Sequence, residues 1–487
     1  MQTYEEFLKQ NVDFPQEGFE VIDNELYFEG INLMKLIYEY GTPLRFTYLP
    51  SISRKIRKAR LLFQQAFLNN DYRGTYTYCY CTKSSHFSYV LEEVLKNNTE
   101  IETSSAFDIP IIRALYRKGK LSKDNMIICN GFKNETYTRY ISDLINDGFH
   151  NTIPILDNLE ELRYYEKNIK KNFKVGIRIA TEERPDFQFY TSRLGIRAER
   201  ILDFYWDRIK DNPKLEFKVL HFFVNSGIKD APYYWEQLEK CVYLYCELKK
   251  ECETLQYLDI GGGFPFKNTL SFDYDYEYIV NQIVYYIKTI CESEGVREPD
   301  IITEFGAFTV AESSGVLFEV LGKKQQNDRE NWFMIDGSLI TTLPDIWATN
   351  QRFILLPINN WDAPYQRVNI GGMTCDAEDY YNAEVHLQEI YMPKTKKTQY
   401  IGFFHTGAYQ QTLGGVGGVH HCLIPTPKQI IIDKDEKGEL IFKLFSPEQK
   451  QEDVLRILGY EDKDNNEKTV VKKPTIKKNL PLTSKEE

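Results

Sequence analysis

The chain has 487 residues, with 42% apolar and 14% aromatic content and a formal net charge of -11. That length suits two or three domains with a large core, and acid spread along the chain argues against nucleic acid as a partner. No apolar run approaches the ~20 residues of a membrane span. The polar opening MQTYEEFLKQ is no secretory signal. Nine cysteines, an odd number without framework spacing, point to a reducing compartment, so a cytoplasmic protein is expected. No metal is expected.

Eight short β-rich runs recur in the first two thirds: 75–81, 100–105, 125–131, 152–158, 174–180, 217–226, 255–264 and 300–306. Helical segments lie between them, among them SYVLEEVLKNN (88–98) and YYWEQLEKCVYLYCELKKEC (233–252), both apolar at helical spacing. The runs are mostly continuous in apolar residues, which suits a parallel sheet covered by helices. The predicted fold class is α/β, a (β/α)8 TIM-like barrel over residues 46–330; an open doubly wound sheet is the alternative that periodicity leaves open. Residues 1–45 are expected to join a C-terminal all-β domain spanning 331–462. That domain shows as short runs at 331–339, 352–360, 366–376, 399–409, 420–435 and 438–445. The lysine-rich stretch 463–487 reads as a disordered tail.

Reactive residues gather at the carboxyl ends of the predicted strands, the face where barrel active sites are built. Lys83 follows the first strand, in YTYCYCTKSSHF. A lysine desolvated there would have a lowered pKa and act as a nucleophilic amine toward an aldehyde cofactor. Alternatively it snorkels to solvent. Cys79 and Cys81 alternate with tyrosines and share one face of that strand. Glu102 lies in the second strand, Arg178 in the fifth, and Ser226 ends the sixth. Gly261, Gly262 and Gly263 end the seventh in LDIGGGFP; ahead of a helix they would let backbone amides cradle a phosphate, or else they make a tight turn. Glu304 ends the eighth, where a carboxylate can hold a pyridine nitrogen protonated or serve as an ion-pair partner.

Later in the chain, GGMTCDAEDYYNAE (371–384) sets Cys375 and Asp376 beside Glu378, Asp379 and Glu384. This is either a cation-recognising loop with a thiol proton donor or a solvated acidic loop. LPDIW (343–347) adds Asp345, and FFHTGAYQQTLGG (403–415) puts Tyr409 in a small-residue turn where a phenol could reach a phosphate. Together these residues suit pyridoxal 5'-phosphate (PLP) acting on a cationic amino acid.

At these residues, over roughly 30–460, the chain resembles the PLP-dependent decarboxylases with an alanine-racemase-like barrel, and most of all the bacterial biosynthetic arginine decarboxylases. LPDIW, TCDAED and GFFHTGAYQQTLGG are the most discriminating matches. The resemblance implies that Lys83 carries the cofactor, with Glu102 and Arg178 around the lysine and ring. Ser226, Gly261 to Gly263 and Tyr409 would hold the phosphate, and Glu304 the pyridine nitrogen. It also implies Cys375 as proton donor to the α-carbon and Asp345 and Asp376 as partners of the substrate's distal cation. A homodimer with shared active sites, or a higher oligomer, follows, with the Cys375 loop supplied by the partner.

Two positions depart from the family pattern. Phe223, in HFFVNSG, replaces the histidine of HxGS, and His221 points the same way one layer deeper; Ala307, in EFGA, replaces the arginine of ExGR. The activity implied is conversion of L-arginine to agmatine and CO2. Decarboxylation of ornithine, lysine, diaminopimelate or a carboxylated polyamine is the nearest alternative, and a regulatory barrel without activity, permitted by Phe223 and Ala307, the more distant one.

Overall fold

The computed structural model describes residues 2–181, 192–327 and 330–460. Eight strands form a closed parallel barrel: β1 (Tyr76–Cys81), β2 (Glu100–Thr103), β3 (Ile127–Cys129), β4 (Thr152–Leu156), β5 (Phe173–Arg178), β6 (Leu215–His221), β7 (Tyr257–Asp259) and β8 (Asp300–Glu304). Six lie within the predicted runs, and the other two, β5 and β6, overlap theirs but start one and two residues earlier. Closure rests on parallel pairing of β8 with β1, from Ile301 opposite Tyr76 to Glu304 opposite Cys79, which removes the open-sheet alternative.

Strand parity explains the barrel interior. Alternate side chains point inward, and Cys79, Ile128, Ile153, Ile155, Val219 and Ile302 form a small buried apolar cluster there. The intervening residues, such as Tyr78, Tyr80, Ile101, Ile127, Ile177, Leu220, Leu258 and Ile301, pack outward in the large cluster shared with the helices. One of these helices, Leu49–Asn69, has Pro50 in its first turn and buries Ile52, Ile56, Ala59, Phe63 and Ala66 at helical spacing. It lies against the helix Tyr276–Ser293, which buries Ile279, Val280, Ile283, Val284 and Ile287.

The second sheet begins earlier than predicted. Strand Ser314–Gln325 pairs with Leu44–Tyr48, and with Asn331–Ile335 and Tyr400–Phe404, so the expected boundary at 330 falls inside a hairpin. The strand follows the barrel after one short turn and its far half is polar and exposed, so composition does not change where the sheet does. Leu44–Tyr48 sits mid-sheet, antiparallel to Ser314–Leu317 on one side and parallel to Lys428–Ile432 on the other. Within residues 1–45, Phe19–Ile22, Glu25–Phe28 and Ile31–Asn32 form a separate three-stranded sheet, and only Leu44 and Arg45 enter this one. The run 420–435 is strand only over Lys428–Lys434, with a turn at His421–Leu423 before it. The predicted tail, 463–487, lies outside the described residues.

Barrel and sheet meet at a buried ion pair. Lys55 Nζ lies 2.6 Å from Glu312 Oε1, with both side chains nearly buried, and Glu312 also accepts the Lys267 N–H at 3.1 Å. Removing one partner leaves a buried charge uncompensated. Lys55→Met is expected to cost about 3 kcal/mol in urea denaturation; a loss within experimental error would show that Glu312 is satisfied without it.

Candidate active site

The inward parity that fills the barrel with apolar side chains continues one layer further toward the carboxyl ends of the strands, and there the residues turn polar. Cys81, Glu102, Asn130, Arg178, His221, Asp259 and Glu304 each stand two residues beyond an inward position, or at the matching level of their strand. Above them opens a cavity of about 510 Å³ whose lining includes Lys83, Glu102, Arg178, Phe223, Glu304 and Tyr409.

Lys83 lies in the short turn Thr82–Ser84 immediately after β1. Its Nζ donates to Glu102 Oε2 at 2.9 Å; Glu102 is fully buried, while the lysine side chain keeps 44% of its surface open toward the cavity. Asn130 Nδ2 donates to both Glu102 Oε1 (3.1 Å) and Glu304 Oε1 (2.6 Å), tying the two carboxylates together. His221 Nδ1 lies 3.2 Å from Asp259 Oδ2 and 3.7 Å from Glu304 Oε1, below Phe223 at the cavity surface. The Arg178 guanidinium carbon is 5.8 Å from the centre of the Phe223 ring.

The electrostatics correct one expectation. Desolvation does pull the Lys83 ammonium down, but its interactions with Cys81, Glu102, Glu304 and Tyr409 more than offset it, so the lysine pKa lies well above its ordinary value. Burial pushes the Cys81 thiol itself far up. It is therefore neutral at physiological pH, and the carboxylates are left as the charges that matter. In the free protein Lys83 is an ammonium held by Glu102, not a neutral amine. Burial, reinforced by Glu304, also raises Asp259 well above the carboxylate range, and burial together with Glu102 raises Glu304. Burial lowers Arg178.

The seventh-strand glycines make a tight turn. Gly261 and Gly263 have φ of 69° and 107°, and the Gly261 N–H donates to Asp259 Oδ1 at 2.9 Å. A Cβ on Gly262 would stand 2.3 Å from the Glu304 carbonyl oxygen. The turn needs glycine, and Gly262 and Gly263 line the cavity with bare backbone. They do not lead straight into a helix, as expected, since the next one starts at Tyr276. Ser226 lies half-buried in the turn beyond β6, and its neighbour Asn225 lines the cavity instead.

Tyr409 (φ 66°) lines the cavity from the second domain, its N–H donating to the Ser84 carbonyl at 2.8 Å. Ala307 and Arg193 also line it. Asp345 lies outside, its Oδ2 accepting from Gln410 Nε2 at 2.6 Å. Cys375 and Asp376 are exposed on a loop that does not line this chain's cavity. Asp379 is not part of an open acidic patch. It is buried and accepts from Leu339 N (2.7 Å) and Thr374 Oγ1 (2.6 Å), pinning the Cys375 loop to the sheet.

Sequence reading missed Asp259, Asn130 and Arg193. The inward parity shared with Val219, His221 and Ile302 would have marked Asp259, and that shared with Ile128 would have marked Asn130; Arg193 carries no such local signal.

A PLP molecule fits this site on the structure's own terms. There is an amine facing the cavity, a buried carboxylate at its floor, a wall where side chains cannot be added, and a buried Arg178 Nε without a hydrogen-bond partner among the described residues.

His221 gives a pH test. Burial, with the charges of Arg178, Lys83 and Lys133, holds it well below the ordinary imidazole pKa, hence neutral when folded. Unfolded, it takes a proton below about pH 6.5. Below that pH the unfolded state binds more protons, so stability falls as pH drops. Compared with His221→Gln, the cofactor-free native protein should lose up to about 1.4 kcal/mol per pH unit between about pH 6.5 and 5 in urea denaturation. Parallel curves would mean that His221 is charged in the folded protein.

Among the described residues, no helix is long and apolar enough to cross a membrane. Residues 51–311 match the family described as pyridoxal-dependent decarboxylase, pyridoxal binding domain. The chain is 22% identical to the biosynthetic arginine decarboxylase of Prochlorococcus marinus (strain MIT 9215), over 88% of this chain and 85% of that protein. It is 23% identical to the one of Citrifermentans bemidjiense, over 76% and 77%. Among solved structures, the biosynthetic arginine decarboxylase of Campylobacter jejuni superposes with a TM-score of 0.79 at 20% identity, covering 95% of this chain and 91% of that one. Diaminopimelate decarboxylase of M. jannaschii superposes with a TM-score of 0.75 at 16% identity, covering 90% and 97%. With more than half of its length matched by that family model and the barrel closed around a site that fits its cofactor, this chain belongs to the pyridoxal-dependent decarboxylases and is a PLP-dependent carboxy-lyase.

Proposed function

We propose that the enzyme decarboxylates L-arginine to agmatine and CO2, in a homodimer whose active sites are shared. The observation that carries the site assignment is the Lys83–Glu102 pair at 2.9 Å, linked through Asn130 to Glu304. The choice of arginine rests on the similarity to the arginine decarboxylases of Prochlorococcus marinus, Citrifermentans bemidjiense and Campylobacter jejuni.

When bound, PLP supplies the aldehyde that the Lys83 amine takes up and the electron sink for the pair left as the α-carboxylate departs. Before Lys83 can act as a nucleophile its Nζ must lose a proton, and Glu102 Oε2, already in hydrogen-bond contact, is the acceptor in reach. Glu304, held by Asn130, would face the pyridine nitrogen. Phe223 offers a ring face for stacking, and Arg178 a donor over it. Gly262 and Gly263, with Tyr409, would hold the phosphate; Gly261 shapes their turn, and Ser226 stands behind Asn225. Where the family has arginine at position 307, this chain offers Arg193 at the cavity lining as its nearest substitute in charge.

Cys375 would return a proton to the α-carbon, and Asp376 and Asp345 would receive the distal cation of the substrate. Cys375 and Asp376 lie exposed outside this chain's own cavity, on a loop that Asp379 holds in shape. A second copy docking that loop over the barrel mouth would complete the site.

Incubating the protein with PLP and a panel of arginine, ornithine, lysine and diaminopimelate, with products identified by mass, is expected to give agmatine from arginine above all others. Preferential turnover of another member would overturn the substrate and keep the chemistry. Lys83→Ala should abolish the near-visible absorbance of the bound cofactor. Cys375→Ala should lower turnover by about 10²–10⁴-fold, the usual worth of a positioned proton donor, with that absorbance retained. Mixing Lys83→Ala and Cys375→Ala chains should restore part of the activity, because one of the two sites in a mixed dimer is then intact. Failure to restore any would argue against shared sites.

A further inference from the structure

Seven of the nine cysteines are buried and two, Cys375 and Cys422, are exposed. These two meet, with Sγ to Sγ 3.4 Å. They come from separate parts of the second domain: the Cys375 loop, and the turn His421–Leu423 just before the strand Lys428–Lys434. That turn holds two consecutive non-glycine residues in the left-handed region, Cys422 (φ 53°) and Leu423 (φ 55°), a conformation unfavourable for a residue with a Cβ. A ring nitrogen of His421 joins the two sulfurs, all three donors lying within 4.8 Å of one another. His421 Nε2 is also 3.5 Å from Asp376 Oδ2.

The sulfurs, 3.4 Å apart, lie near the spacing that one shared ion imposes. With zinc–sulfur bonds of about 2.3 Å, tetrahedral geometry sets neighbouring sulfurs about 3.8 Å apart. A disulfide would need the sulfurs at about 2.05 Å. We infer that Cys375, Cys422 and His421 form a binding site for a thiophilic divalent cation such as Zn2+, with solvent in the fourth position. Binding displaces the two thiol protons to solvent and leaves both sulfurs as thiolates on the ion.

One consequence rests on the proposed role of Cys375. A sulfur held on zinc has no proton to deliver and is fixed to Cys422, so the metal-bound enzyme is inactive and a chelator restores it.

The test uses the full-length protein, reduced, stripped with a chelator and titrated with Co2+ as a coloured stand-in for Zn2+. The expected result is a thiolate-to-cobalt charge-transfer band that saturates at one ion per chain and is bleached by Zn2+. The band should be absent in Cys422→Ser and should need more than tenfold higher Co2+ in His421→Ala. Decarboxylation should fall as the band grows in the native protein, and should stay unchanged over the same metal range in Cys422→Ser. No band in the native protein, or an undiminished band in Cys422→Ser, overturns the site. So does mild oxidation that consumes both thiols as a disulfide in protein that takes up no metal. A band that saturates while activity is untouched keeps the metal site and overturns Cys375 as the proton donor.

Discussion

The whole upper half of the barrel depends on one constraint, that three buried carboxylates must coexist within a single layer. Glu102, Asp259 and Glu304 point into the same interior, where isolated charge is costly. The protein meets this with unequal treatment. Glu102 takes the Lys83 ammonium, and Asn130 spans Glu102 and Glu304 with one amide nitrogen. Asp259 is pushed toward its neutral form. Such a layer has little freedom to rearrange, because Glu102 and Glu304 are held by Lys83 and Asn130 from other strands. A rigid, half-compensated set of charges is what a cationic heterocycle with an anionic tail can enter without reorganising the protein.

Much of this was legible in the chain. Continuous apolar runs located all eight barrel strands, and strand ends carried Lys83, Glu102, Arg178 and Glu304 to one face because parallel strands in a closed barrel share their direction. What stayed hidden depends on partners far away in sequence. The direction of the Lys83 shift is decided by a carboxylate on the next strand, which no local reading of an apolar strand end contains. Asn130 looks like a turn residue until β3 is paired with β2, which brings its amide to Glu102 and, across the barrel interior, to Glu304. The start of the second sheet at Ser314 is defined by pairing with Leu44–Tyr48, near the opposite end of the chain. The contact of Cys375 with Cys422 likewise joins two loops that share no motif.

The two departures from the family pattern have different structural weight. Phe223 replaces a polar ring at the cavity surface, and beneath it His221 is fully buried and neutral, so the imidazole persists as a neighbour of Asp259 and Glu304 rather than as a stacking surface. Ala307 shortens the side chain beside the glycine wall, and a Cβ at the adjacent Gly306 would stand 2.0 Å from Ser84 Oγ, so that corner is closely packed. Positive charge enters the cavity instead through Arg178 and Arg193.

The mid-sheet position of Leu44–Tyr48 sets an order of events at the ribosome. Its antiparallel partner, Ser314–Leu317, is made only after the last barrel strand, and its parallel partner, Lys428–Ile432, more than a hundred residues later still. At about 5–20 residues per second, the nascent segment waits roughly 20–80 s for that second neighbour. Throughout translation of the barrel it is an unpaired apolar edge, LRFTY, a template for wrong pairing that chaperones or the growing barrel itself must shield.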